Sequence, residues 1–116
     1  MTQSTTQVFL QTWPGDPDYR QDKRTYTKVA EFNQPVELIT ELIGGRPTRA
    51  LEEVFVQLNV DEPEAPWAIQ YRANRNPSLS VGDVVVIGEC AYECAPVGWQ
   101  PTTLTGGHRN VYFQAA

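Results

Sequence analysis

The chain has 116 residues, 41% of them hydrophobic, with nine prolines, eight glycines and a formal net charge of −5. That length supports one domain with one core, the proline and glycine content implies many turns and short elements, and no run nears the ~18 apolar residues of a membrane span. The negative charge argues against general affinity for nucleic-acid backbone, which needs a positive surface, and the acids are too scattered, apart from Asp61, Glu62 and Glu64, to imitate a nucleic acid.

Residues 1–6 are polar and uncharged, so they are expected to fray, and they lack the basic and apolar regions of a secretion signal. With Cys90 and Cys94 the only cysteines, a cytoplasmic location is expected. Val8 to Trp13 reads as a first strand, stopped by Pro14-Gly15-Asp16-Pro17. A small basic patch of Arg20, Lys23 and Arg24 precedes a second strand, Tyr26 to Phe32. Pro35 suits a first helical position, and Leu38, Ile39, Leu42 and Ile43 supply an apolar stripe that Gly44-Gly45 ends. Thr48 is a candidate N-cap for a second helix, in which Leu51, Val54, Phe55 and Leu58 share one face and which Asn59 closes.

Asp61 to Pro66 reads as a loop and Trp67 to Arg72 as a short strand. After a turn at 73–77, Ser80-Val81-Gly82-Asp83 carries turn chemistry and delivers Val84-Val85-Val86-Ile87. That run has no polar member, so both its faces meet apolar surroundings, as in a strand inside a sheet. Gly88-Glu89 predicts a tight type II′ hairpin into Cys90–Cys94, and Val111 to Phe113 reads as a closing strand. The expected fold is α+β: a mostly antiparallel sheet of about five strands, strand 84–87 central, with two short helices packed on one face. The chain reads as a single domain over 1–116, with 109–116 as a tail.

Catalytic patterns are weak. A nucleophile needs a neighbouring base, and the only histidine, His108, lies far along the chain from either cysteine. Cys90 and Cys94 on one strand stand on the order of 13 Å apart, too far for one metal or an intra-strand disulfide, and read as small buried hydrophobes. Gly44-Gly45-Arg46-Pro47-Thr48 lacks the Gly-Lys-Ser/Thr ending of a phosphate loop. Glu37/Glu41 and Glu52/Glu53 read as solvated helix faces. No cofactor and no metal site is expected. Of Trp13, Trp67 and Trp99, the last follows a glycine at the mouth of a hairpin and is the one expected to be exposed.

From Leu51 onward the chain resembles YodL-like domains. The resemblance rests on Leu51-Glu52-Glu53-Val54-Phe55, then Leu58-Asn59 with Pro63 shortly after, then Ser78-Leu79-Ser80-Val81-Gly82-Asp83-Val84-Val85-Val86, and Gly98-Trp99 where the family has Gly and an aromatic. It covers about residues 51–100. It departs at Gly82, where many relatives carry a second Ser, at Pro77, where a basic residue is common, and in a longer loop across 61–77. The resemblance implies an accessory module of phages, conjugative elements or their large polyvalent proteins, often beside antirestriction domains. It implies no catalytic residues.

The combined expectation is a non-enzymatic phage or mobile-element protein in the host cytoplasm that binds a host or phage protein, counter-defence included. Its expected binding site joins Arg72, Arg75, Ser78, Ser80 and Asp83 of the 72–83 loop with Trp99. Three other readings stand beside it. One is a nucleic-acid-associated module using Arg20, Lys23, Arg24, Arg72 and Arg75. Another is a small enzyme using His108 and a cysteine. The third is a phage structural component, a homo-oligomer assembled through exposed edges at Val111–Phe113.

Overall fold

A computed structural model describes residues 3–16, 19, 24–106 and 111–114. Among these residues, seven strands and three helices follow in chain order: β1 (Gln3–Gln11), β2 (Thr25–Pro35), α1 (Val36–Thr40), α2 (Thr48–Asn59), α3 (Pro66–Ala73), β3 (Val84–Ile87), β4 (Cys90–Cys94), β5 (Trp99–Thr102), β6 (Leu104–Gly106) and β7 (Val111–Gln114). All strands join one sheet in the order β5-β4-β3-β1-β2-β7-β6, and every pairing is antiparallel. The expected α+β architecture is present, with two strands and one helix more than anticipated. The all-apolar strand β3 lies inside the sheet between β1 and β4, which explains why it tolerates no polar residue on either face.

The sheet is rolled. β5 and β6 lie at its opposite edges, yet a single residue, Thr103, joins them. Two peptide units span at most about 7 Å, so one corner of each edge must meet. Alternation along the strands then feeds two cores. Val8, Val85, Ile87, Tyr92 and Trp99 pack with Leu51, Val54 and Leu58 of α2 and Ala68 and Tyr71 of α3. On the inside of the roll, Phe9, Tyr26 and Val84 pack with Val86, Ala91, Leu104 and Tyr112, and the Phe9 and Tyr112 rings meet edge to face at 4.8 Å. In β2, Val8 pairs with Ala30 and Phe9 with Lys28, leaving Val29 as a bulge that strengthens the local bend.

Several sequence expectations need correction. Trp67 to Arg72 is helical, within α3. Pro66 supplies a first-turn residue without an N–H to lose, and the buried Ala68 and Tyr71 stand three apart, a helical spacing rather than alternation. Trp67 stacks flat on Phe32 with ring centroids 4.0 Å apart. Helix α1 stops at Thr40, because Gly44 and Gly45 both adopt positive φ, +64° and +79°, and turn Ile43 back onto Arg46. Two successive positive φ angles make a hairpin turn, so Leu42 and Ile43 end up exposed.

Thr48 does not cap α2; Pro47 occupies that position, and the Thr48 hydroxyl donates to the Ile43 carbonyl at 3.2 Å. The N-terminal stretch expected to fray is strand from Gln3. Buried Thr6 donates to Gln34 Oε1 at 2.7 Å, and Gln34 donates to the Ala50 carbonyl at 3.1 Å, tying β1 and β2 to α2. Residues 111–113 form no open edge, because β7 pairs with β2 on one side and β6 on the other. The hairpin at Gly88-Glu89 has its positive φ at Gly88 (+63°), the position where a type II′ turn requires it.

Candidate functional site

Between α3 and β3 the chain has no regular structure. Residues 76–83 form a strap that three side chains tie down. The Tyr71 hydroxyl donates to the Pro77 carbonyl at 2.7 Å. The Asn59 amide group takes the place of a strand partner for Leu79, donating to its carbonyl at 3.0 Å and accepting its N–H at 2.8 Å. Leu79 itself is buried. Asp83 closes the strap: Oδ1 accepts the Gln11 N–H at 2.9 Å and Oδ2 accepts the Ser80 N–H at 2.8 Å.

The backbone continues the clasp. Asp83 N–H donates to Ser80 O at 3.0 Å, Gly82 N–H to Cys94 O at 2.9 Å, and Cys94 N–H to Asp83 O at 2.8 Å. Gly82 sits at φ +98°, a conformation that favours glycine, and a Cβ there would lie 2.5 Å from Gln11 Oε1, so the Gln11 side chain would have to move. Burial pushes the Asp83 carboxyl above its usual range, and the two amide hydrogen bonds pull it part of the way back.

A cleft of about 450 Å³ opens where the strap meets the end of β1. Leu10 and Val29 line it with apolar surface, Gln11, Thr12 and Thr27 with polar groups, and Pro77, Ser78, Ser80 and Asp83 line it from the strap. Trp13 and Asp16 complete it. Trp13 is 60% exposed and fixed to Asp16 in both directions: its N–H donates to Asp16 Oδ2 at 2.8 Å, and Asp16 N–H donates to Trp13 O at 3.0 Å. The clasp also brings the 80–83 turn and the 95–98 turn to this same end of the sheet. Val81 there is 55% exposed and Val97 92%.

The six expected site residues divide. Ser78, Ser80 and Asp83 line the cleft. Arg72 instead donates to the Val60 carbonyl that ends α2, and exposed Arg75 occupies a left-handed conformation, φ 63°, in the turn after α3. Trp99 is not exposed. It retains 7% of its surface and meets Phe55 edge-on at 6.4 Å, because Trp99 pairs with Cys94 at the start of β5 and its side chain falls on the helix-facing side. The exposed tryptophan is Trp13, whose sequence signal was its place between a strand and a Pro-Gly-Asp turn.

The chain matches no family model, no curated protein and no solved structure.

His108, Arg20 and Lys23 lie outside the described residues, and Arg24 is paired with Glu93 at 3.2 Å. Cys94 is buried, which pushes its thiol up, whereas Cys90 is exposed, at the first position after the hairpin turn. Among the described residues no cluster of three or more His, Cys, Asp or Glu could hold a metal, and no helix is long and apolar enough to cross a membrane. A second cleft of about 370 Å³, between Arg46, Cys90 and Leu104, lies toward the opposite end of the sheet.

Proposed function

We propose that this protein is a binding module that docks onto a partner protein through the Trp13 end of its sheet. The observation that carries this reading is the exposure of three apolar side chains, Trp13, Val81 and Val97, on turns at one end of the sheet, with Trp13 lining the cleft there. Large apolar groups exposed together, with polar groups around them, suit protein contact, and tryptophan is among the residues that most often anchor such contacts. These groups stand on turns held by short hydrogen bonds, so little ordering entropy is lost on docking. Asp83, one of two carboxylates lining the cleft, accepts hydrogen bonds from two backbone amides, which suits holding a shape better than transferring a proton.

The resemblance of residues 51–100 to YodL-like domains supports a setting in phages or mobile elements. The partner would then be a host or phage protein met in the host cytoplasm, with counter-defence among the roles open to such a module.

The test is a paired pull-down from host lysate with the wild-type protein and a Trp13→Ala/Val97→Asp variant of unchanged circular dichroism. A protein recovered by the first and lost with the second is expected. Equal recovery by both overturns the assignment of this end as the docking surface.

A further inference from the structure

We propose that the cleft between the strap and the end of β1 receives a lysine or arginine side chain from a basic segment of the partner. This rests on the docking reading above and adds the chemistry of what enters. Three features of the cleft select the ligand. Leu10 and Val29 give its lining apolar surface beside Gln11, Thr12 and Thr27, and that surface would cover the methylene stem of a long cationic side chain. An exposed indole stands at its side, and the face of a tryptophan attracts a cationic head more strongly than any other ring. Two carboxylates, Asp16 and Asp83, line it, and no lysine or arginine among the described residues does.

Three acids elsewhere are already neutralised by a neighbouring cation. Glu93 pairs with Arg24, Glu31 with Lys28 and Glu41 with Arg49. Asp83 is 6% exposed, and no described residue forms an ion pair with it. An ionised carboxylate offers about four acceptor sites; two on Asp83 are used by the Gln11 and Ser80 amides. A cation entering the cleft would find acceptors already oriented. An anion would meet two like charges, and a neutral apolar side chain would dehydrate Asp83 without compensation. The net charge of −5 would steer a basic segment toward the protein as a whole.

The experiment is an amide and indole NMR titration of the labelled full chain at low ionic strength. The probes are the blocked tripeptides acetyl-Gly-Lys-Gly-amide and acetyl-Gly-Arg-Gly-amide, with acetyl-Gly-norleucine-Gly-amide as the neutral counterpart of lysine. The cationic probes are expected to shift the Trp13 indole and the Gln11 and Ser80 amides, and norleucine to leave them unmoved. Asp16→Asn, which keeps the shape of the Asp16 side chain, should weaken the cationic response several-fold, and Trp13→Ala should remove it. Equal shifts with norleucine, or cationic shifts confined to acids elsewhere such as Asp61–Glu64, would overturn the proposal. The outcome is separable from the docking reading. A silent cleft with partner capture still lost in Trp13→Ala/Val97→Asp defeats only the cation. A responsive cleft with capture unchanged defeats only the docking surface.

Discussion

At Gly82 and Asp83 two adjacent side-chain choices decide whether the clasp can form. A Gly82→Ala protein must hold a Cβ at φ +98° and against Gln11 Oε1. Gln11 is long enough to swing aside, but the backbone conformation stays unfavourable, so a loss of about 1–2 kcal/mol is expected in urea denaturation. Asp83→Asn turns one acceptor into a donor facing a backbone N–H, at about 1–3 kcal/mol, partly offset by relief of a buried charge. The sign of the pH effect follows from the raised carboxyl. The folded state holds the Asp83 proton more tightly than the unfolded chain, so ionisation costs stability as pH rises from the unfolded value through the folded one. Wild type should therefore gain on Asp83→Asn as pH falls through that window; denaturation of both proteins across a pH series measures it, and an opposite slope would contradict it. The turn chemistry of Ser80, Gly82 and Asp83 was legible in the sequence. Its main partner was not, because the Gln11 amide lies in a distant strand brought there by the pairing of β1 with β3. Trp99 was misassigned for a similar reason: adjacency to a glycine says nothing about which face of the sheet a side chain joins.

Among the elements, β3 and α2 were readable because each carries one unambiguous pattern: an unbroken β-branched run in the first, an i, i+3, i+4, i+7 stripe in the second. Helix α3 was not, since its eight residues, Pro66–Ala73, include Trp, Ile and Tyr, which also favour strands. Its period becomes visible only through the burial of Ala68 and Tyr71 against α2 and the sheet. The strap between α3 and β3 depends on side chains of both helices. Asn59→Ala removes two hydrogen bonds to Leu79, for about 1–3 kcal/mol, and Tyr71→Phe removes one to Pro77, for about 1 kcal/mol. Hydrogen exchange separates the two. The Leu79 amide should exchange markedly faster in Asn59→Ala and close to the wild-type rate in Tyr71→Phe, whose lost bond lies at Pro77.

Across the whole molecule, β1 joins the two cores by sending Val8 to the helix side and Phe9 into the roll. Neither core can open without disturbing that strand. Phe9→Ala is expected to cost about 3–5 kcal/mol while leaving a single transition, with tryptophan fluorescence and far-UV circular dichroism coinciding. Separate transitions by the two probes would show that the cores are independent. The rolled sheet itself had no sequence signal. It follows from the single-residue link at Thr103 between strands that end up at opposite edges, a relation that only the complete set of pairings reveals.

The position of β1 between β2 and β3 also has a consequence in time. During synthesis β1 can pair with β2 early, but its other side waits for β3, since Phe9 faces Val84. That is about 75 residues later, or roughly 4–15 s at ordinary rates of translation. For that interval a β-hairpin containing Val8 and Phe9 carries an unpaired edge, the form in which strands most readily associate with the wrong neighbour. The nascent chain, rather than the finished protein, is therefore where a shortage of chaperones would be felt first. Synonymous changes that slow the ribosome before Val84 should lower the soluble yield without altering the stability of the molecules that fold.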